Sequence, residues 1–122
     1  MKRDNLLLQR TAVGMAGKET IMKMVTIVCR ETLEDYVLLL FTNLGIKGYT
    51  VVSGTGGSGK AGAVSGTHGW SDRNTLFLVA LDDDQMAPLI NAVKEFHAAQ
   101  TAEQDGREVP LKMFLQPCEL IL

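Results

Sequence analysis

The sequence is poor in the residues that mark several classes of protein. Its two cysteines, Cys29 and Cys118, show no metal-ligand spacing. The 12 lysines and arginines are outnumbered by 14 acidic residues, so nothing supplies the basic field of a general nucleic-acid or membrane-surface binder. No apolar run approaches the length of a membrane span. These absences predict a cytoplasmic protein that binds no nucleic acid and does not insert into a membrane.

The remaining composition predicts one folded domain after a short N-terminal segment. Hydrophobic residues make up 46% of the chain and charged residues 21%, which is enough apolar content for one core. The apolar patch at residues 6–8 is far shorter than the central region of a signal peptide. We expect residues 1–21 to be a disordered or non-native extension, because Met22 or Met24 would serve as the natural start. The alternative is an extra helix that packs on a neighbour.

Residue patterns predict a strand, a helix and a second strand in the first half of the domain. β-branched residues at 24–29 favour a strand, and Thr32 follows as a candidate helix N-cap. Apolar residues at helical spacing then continue to Gly45, a typical helix stop. A second strand is predicted over residues 49–53.

The second half of the domain repeats this pattern. Residues 75–81 are all apolar except the first, which is typical of a strand buried on both faces. Acidic residues at 82–84 favour a helix start, and a polar stretch at 100–110 separates that helix from a strand at 111–116. The order β-α-β-β-α-β predicts an α+β, ferredoxin-like split βαβ fold, in which both helices cover one face of a four-stranded antiparallel sheet. Burial of the other face predicts a homo-oligomer whose sheets face inward, unless residues 1–21 cover it.

Residues 54–62 read Gly-Thr-Gly-Gly-Ser-Gly-Lys-Ala-Gly and match two phosphate-binding patterns. The spacing G-x-G-x-x-G is that of a dinucleotide-binding turn, and G-x-x-x-x-G-K is that of a P-loop. Ala61 replaces the Ser or Thr with which a P-loop holds magnesium, and the glycines that follow oppose the helix that both motifs need. We therefore predict a long mobile loop over residues 54–73.

Several runs resemble the PII signal-transduction superfamily, from Met24 to the end of the chain. Residues 44–51 read Leu-Gly-Ile-Lys-Gly-Tyr-Thr-Val, a glycine-bearing excursion separates the second and third strands, and Asp-Gly-Arg at 105–107 precedes the last strand. The resemblance implies a trimer whose sheets form the inner wall. It also implies adenine nucleotides in clefts between subunits, and a long T-loop that changes shape with the nucleotide and docks into a partner protein. No enzyme activity or required cofactor is expected.

The resemblance further implies roles for individual residues near the glycine loop. Thr50 matches the strand residue that lies close to the adenine. Gly54 and Gly56 match the base of the T-loop, where backbone N–H groups approach a phosphate because no side chain intervenes. The regulatory loop itself is expected to include Gly57, Ser58, Gly59, Lys60 and Gly62.

The loop before the last strand matches the family less closely. Gly106 and Arg107 stand where the family binds phosphate, and Lys112 is the alternative cation. The loop has one glycine and inserts residues 108–110, and no basic pair follows the last strand. The nucleotide preference is therefore expected to shift towards ADP or AMP, with ATP as the alternative.

Further departures favour a PII-like branch over a nitrogen-regulatory PII protein. The T-loop has no tyrosine to be uridylylated, and Trp70, Asp72 and Arg73 do not fit the family pattern. A branch associated with carbon metabolism, in which bicarbonate or another small anion acts as a co-effector, is the best match.

Two other functions remain open from the sequence. A CutA-like trimer shares the fold and would bind metal, although its connection between the second and third strands is not glycine-rich. A small nucleotide-hydrolysing enzyme on the same scaffold is the other, because a fold does not fix a function. His68 and His97 have no partner at metal-ligand spacing, so no metal site and no catalytic residue is predicted.

Overall fold

The computed structural model describes residues 22–59, 62–64 and 73–122. The elements in chain order are β1 (Met22–Arg30), a 3-10 turn (Glu31–Leu33), α1 (Glu34–Asn43), β2 (Thr50–Thr55), β3 (Gly57–Gly59), β4 (Gly62–Val64), β5 (Asn74–Asp82), α2 (Asp83–Glu103) and β6 (Leu111–Cys118). Predictions about the extension at 1–21 lie outside the described residues. No helix within the described ranges has the length and apolar character to cross a membrane.

The main sheet has four antiparallel strands in the order β2-β5-β1-β6. β1 lies inside the sheet, where Val25, Ile27 and Cys29 alternate as buried residues with half-buried ones. This period of two places the buried residues on one face, which the two helices cover. The predicted ferredoxin-like split βαβ fold is therefore confirmed.

Aromatic and branched side chains fill the layer between sheet and helices. Phe41 of α1 and Phe77 of β5 are almost fully buried and meet edge to face, with ring centroids 5.5 Å apart. Val93 of α2 belongs to the same core. A buried phenylalanine contributes about 1.5–3 kcal/mol through the apolar surface that it removes from water. This core lies between the middle of the sheet and the helices, so the ends of the strands and the loops that follow them lie at the surface.

The second face of the sheet is uncovered among the described residues. Phe114 of β6 is 56% exposed and Val52 of β2 is 41% exposed. On the two strands between β6 and β2, Thr26 of β1 and Leu78 of β5 lie opposite each other, and both are only half buried. This face is apolar, as the sequence predicts for a surface that a further layer should cover.

The start of the first helix differs from the prediction. Thr32 is not its N-cap, because Thr32 lies within the 3-10 turn and the extended residue before that turn is Arg30. Neither the turn nor α1 has a side-chain hydrogen bond at its N-cap position. The stop at Gly45 is as expected, since that residue adopts a φ of 73°.

The second helix begins as predicted and ends later. The carboxylate of Asp82 accepts a hydrogen bond from the backbone N–H of Gln85 at 3.2 Å, which caps the first turn. The helix then continues through Gln100, where a separating stretch was predicted, to Glu103. The hydroxyl of Thr101 donates to the carbonyl oxygen of His97 at 2.8 Å, so polar residues there do not interrupt the helix.

The last strand runs through Pro117 to Cys118, beyond its predicted end. β6 is an edge strand, and an edge position tolerates a residue that lacks an N–H. Cys118 lies opposite Met22, whereas Cys29 lies opposite Leu111, at the other end of the same ladder. Both thiols are free, as that separation predicts.

Candidate functional site

Three segments of the chain meet where β1 ends. The backbone N–H of Arg30 donates to the carbonyl oxygen of Pro110 at 3.0 Å, which ties this end of β1 to the loop before β6. The N–H of Glu31 donates to the carbonyl oxygen of Arg73 at 2.8 Å, which ties it to the residue before β5. Two loops that are far apart in sequence therefore share one end of the sheet.

A bulge shapes the base of the glycine loop. The pairing between β2 and β5 shifts register between Val52 and Thr55, and Gly54 within the shift has a φ of 73°. The hydroxyl of Thr55 donates to the carbonyl oxygen of Asn74 at 3.0 Å and closes the stem. A side chain at Gly54 would also contact Arg73, whose Cδ lies 4.0 Å from the position of a Cβ. Glycine here lets a ligand approach the backbone next to an arginine.

Arg73 brings a half-buried positive charge to this position. Its Nε is inaccessible to solvent and has no hydrogen-bond partner in the part of the chain that the structure describes. Buried donors are almost always paired, so this guanidinium N–H is expected to meet an acceptor beyond the described residues, on a ligand, a water, another chain or another part of this chain. A carboxylate or phosphate oxygen is the strongest such acceptor.

A second arginine at this end was missed by the sequence analysis. Arg30 closes β1 directly opposite Asn74, the neighbour of Arg73. Arg30 is the last residue of β1 and Arg73 directly precedes β5, so the two arginines come together only because these strands pair. That pairing becomes a useful signal only when the register is known.

The loop before β6 is a tight turn that presents an arginine. Asp105 and Gly106 both have a positive φ, at 58° and 83°, and the N–H of Gly106 donates to the carbonyl oxygen of Thr101 at 2.9 Å. The Nε of Arg107 donates to the carbonyl oxygen of Gln104 at 3.0 Å, while the side chain stays exposed. The contact holds one guanidinium donor and leaves the others available to an anion.

The two outermost predicted ligands lie on opposite edges of the sheet. Thr50 is exposed on β2, and Lys112 is exposed on β6, where its ammonium group lies 3.2 Å from a carboxylate oxygen of Glu108. Three strand spacings separate these edges, which is about 14 Å. One chain therefore does not bring Thr50 and Lys112 together.

A carboxylate not considered in the sequence analysis supports the loop base. Oε1 of Glu34 accepts from the hydroxyl of fully buried Thr75 at 2.7 Å and from that of Ser53 at 3.5 Å. Glu34 thus joins the first turn of α1 to the residue that precedes Gly54.

Burial, and to a smaller extent the negative charge of Glu34, raise the pKa of the Cys29 thiol to about 12. This cysteine is therefore not a nucleophile at neutral pH.

The described part of the glycine loop has secondary structure that was not predicted. Gly57, Ser58 and Gly59 form β3, which pairs with β4 so that Gly59 lies opposite Gly62. Gly56 separates this ribbon from β2. Lys60 and Ala61 lie outside the described residues, as do His68, Trp70 and Asp72.

The model of one protein family matches most of the chain. Residues 22–119 match the family described as nitrogen regulatory protein P-II. The chain belongs to the P-II family. The resemblance inferred from the glycine loop and the flanking runs is thereby confirmed. A search of the curated protein sequences found no significant match.

Solved structures of P-II and PII-like proteins share the fold. One is CPII from Thiomonas intermedia K12, a nitrogen regulatory PII-like protein bound to ADP, AMP and bicarbonate. It has a TM-score of 0.67 at 20% sequence identity, over 84% of this chain and 91% of CPII. Another is the PII of Arabidopsis thaliana bound to citrate, with a TM-score of 0.57 at 20% identity over 82% of this chain and 79% of that one. A putative PII-like signaling protein from Thermus thermophilus has a TM-score of 0.56 at 17% identity, over 84% and 91% of the two chains.

Within the described residues no group of three or more His, Cys, Asp and Glu side chains is arranged to hold a metal ion. The polar side chains at this end of the sheet include the guanidinium groups of Arg73 and Arg107 as well as the carboxylate of Glu34.

Proposed function

We propose that the protein is a PII-like regulator that binds an adenine nucleotide, ADP or AMP in preference to ATP, and switches its glycine loop in response. The observation that carries this proposal is the convergence of two loops at the end of β1. Gly54 and Arg73 belong to one loop, and Gly106 and Arg107 belong to the other. Both loops present positive charge next to backbone that no side chain covers.

Phosphate binding follows from the chemistry of these groups. Gly54 and Gly56 at the loop base carry no side chain, so a phosphate can approach the backbone there. The N–H of Gly106 is already bonded to the carbonyl oxygen of Thr101, so the turn before β6 contributes the guanidinium of Arg107 instead. The free donors of Arg107 form a planar fork that matches two phosphate oxygens. Lys112 on the neighbouring edge is a second cation for the same phosphates.

The adenine is proposed to lie between two copies of the chain. Thr50 stands on the edge strand β2, about 14 Å from the β6 edge of its own sheet. A neighbouring copy that places its β2 edge beside β6 would bring its own Thr50 to the nucleotide. The uncovered apolar face with Phe114 supports such an assembly, since packing three sheets inward would bury it. The proposed assembly is therefore the homotrimer typical of the family.

Arg73 is proposed to bind a small anionic co-effector, such as bicarbonate or a carboxylate. Its buried Nε lacks a partner among the described residues, and it lies beside the loop base where the phosphates would sit. CPII is bound to bicarbonate as well as nucleotides, and the Arabidopsis protein is bound to citrate. Ligands of this kind would make the response depend on two inputs.

Regulation is proposed to act through the glycine loop, without catalysis. The nucleotide can favour one loop conformation only by its difference in affinity for the alternatives. Residues 57–59 and 62 lie in or next to the ribbon directly beyond the loop base, with Lys60 between them in sequence. A loop state selected in this way would then bind, or release, a partner protein.

Calorimetry tests the proposal directly. The full chain is titrated with ATP, ADP and AMP, each with and without bicarbonate, and binding tighter than about 1 mM is expected for at least one nucleotide. Arg107→Ala should weaken that binding by about 1–3 kcal/mol if the guanidinium contacts phosphate. Glu103→Gln, a nearby change outside the site, is the matched control.

Three results would count against this function. If none of the three nucleotides binds, the protein is not a nucleotide sensor. Unchanged affinity in both Arg107→Ala and Thr50→Val would show that nucleotide binds elsewhere. If bicarbonate changes the nucleotide affinity of Arg73→Gln as much as that of the unchanged protein, Arg73 does not bind the anion.

A further inference from the structure

A cavity lies between α2 and β6, away from the base of the glycine loop. It has a volume of about 250 Å³. Its floor is apolar, because Val93 and Leu111 are buried core residues and Met113 packs against them. The remaining lining residues are Lys94, His97 and Lys112.

The polar rim of this cavity is basic and largely unpaired. Lys94 and His97 are one helical turn apart, and neither side chain has a hydrogen bond or ion pair with a residue that the structure describes. Lys112 contacts Glu108 at 3.2 Å, but the two side chains are 58% and 39% exposed. Lys112 shares the strand face of exposed Phe114, opposite to the face that α2 covers, so its ammonium is not counted among the donors of the cavity.

We propose that this cavity is a second ligand site, for a small monocarboxylate with a short apolar body. Lys94 and His97 supply donors for the two carboxylate oxygens, since an ammonium has three donors and an imidazole has at least one. The floor at Met113 accepts the apolar body, and a thioether side chain adapts to different shapes. The volume equals that of about eight water molecules in the liquid, which suits a compact organic acid.

The apolar floor separates this class of ligand from inorganic anions. A hydrated phosphate ion gains nothing from contact with Val93, Leu111 and Met113, whereas a carboxylate with a hydrocarbon body removes that surface from water. The inference does not rest on the proposed nucleotide binding, because Lys94, His97 and the apolar floor have no part in the proposed nucleotide site.

Benzoate is a suitable probe, and benzamide is its neutral counterpart of nearly equal shape. In nuclear magnetic resonance titrations of the full chain, benzoate should shift the signals of the His97 imidazole and the Met113 methyl group. Benzamide and inorganic phosphate should bind at least about tenfold more weakly, because each lacks one of the two complementary parts.

Matched variants locate the site. Lys94→Gln and His97→Gln should each weaken benzoate binding by about tenfold, the loss expected for one hydrogen bond to a charged group. Glu95→Gln, an exposed neighbour on α2 that does not line the cavity, should leave it unchanged. Arg107→Ala should also leave it unchanged, which distinguishes this cavity from the nucleotide site. Melting curves confirm that these surface variants are folded.

Several outcomes would overturn the inference. Benzoate at roughly 10 mM is enough to occupy even a weak site. If the His97 and Met113 signals do not shift at that concentration, the cavity does not bind benzoate. If phosphate binds as tightly as benzoate, the apolar floor does not contribute to the affinity. Unchanged affinity in Lys94→Gln and His97→Gln, or loss of affinity in Arg107→Ala alone, would place benzoate in the other site.

Discussion

Replacing Thr75 by valine tests whether Glu34 supports the loop base. Thr75 is fully buried, and its hydroxyl donates to the Glu34 carboxylate at 2.7 Å. Valine keeps the branched shape and the packing, so the change removes one hydrogen bond to a charged acceptor. Such bonds contribute about 1.5–3 kcal/mol, and we expect the free energy of unfolding to fall by that amount.

The effect should be much larger than that of two related changes. Thr26→Val is the matched control, because Thr26 is half buried on the other face of the sheet and its hydroxyl has no hydrogen-bond partner in the described ranges. Ser53→Ala removes an exposed contact of 3.5 Å and should cost less than about 0.5 kcal/mol.

Urea denaturation at one fixed protein concentration measures these differences, because the stability of an oligomer depends on concentration. The loop base offers a second readout, since loss of the Thr75 contact frees Glu34 beside Ser53. Trypsin should then cleave after Lys60 faster in Thr75→Val than in Thr26→Val. If the two valine variants are equally stable and equally resistant, Glu34 does not hold the loop base.

Three further changes test separate features of the structure. Gly54→Ala should destabilise the fold by about 1–2 kcal/mol in thermal or urea unfolding, because its φ of 73° is strained for any side chain; an unchanged midpoint would contradict this. Asp82→Ala should cost about 1 kcal/mol through loss of the cap, and Asp82→Asn should restore most of it. Cys29 keeps its proton when folded up to about pH 12, whereas the unfolded thiol ionises near its ordinary pKa. Folded stability should therefore fall from about pH 9 upward more steeply in the natural protein than in Cys29→Ala; parallel profiles would refute the raised pKa.

The sequence predicted those parts of the fold that depend on local patterns. The alternation along β1, the stop at Gly45 and the cap at Asp82 each follow from a few neighbouring residues. Thr32 failed as a cap because a 3-10 turn precedes α1, and the residue before that turn is the extended Arg30. Nothing in the local sequence distinguishes that start from an ordinary N-cap.

The candidate site was predicted only in part, for a different reason. Gly54 and Gly106 stand out because glycine has a distinctive backbone. Arg73 and Glu34 have no such local signal, since each acquires its role through residues far away in sequence. The β3–β4 ribbon was also missed, because glycine strands lack the side-chain period of two by which strands are recognised.

The shift of register at Gly54 has a mechanical consequence. Residues between Thr50 and Val52 pair with β5 on one side of the shift, and only Thr55 pairs on the other side. The ribbon that follows therefore forms a separate two-stranded sheet instead of continuing this ladder. A loop attached at such a shift can change its direction without breaking the hydrogen bonds that hold β2 in the sheet. The shift of register thus separates the ladder that holds β2 from the ribbon by about two residues of backbone.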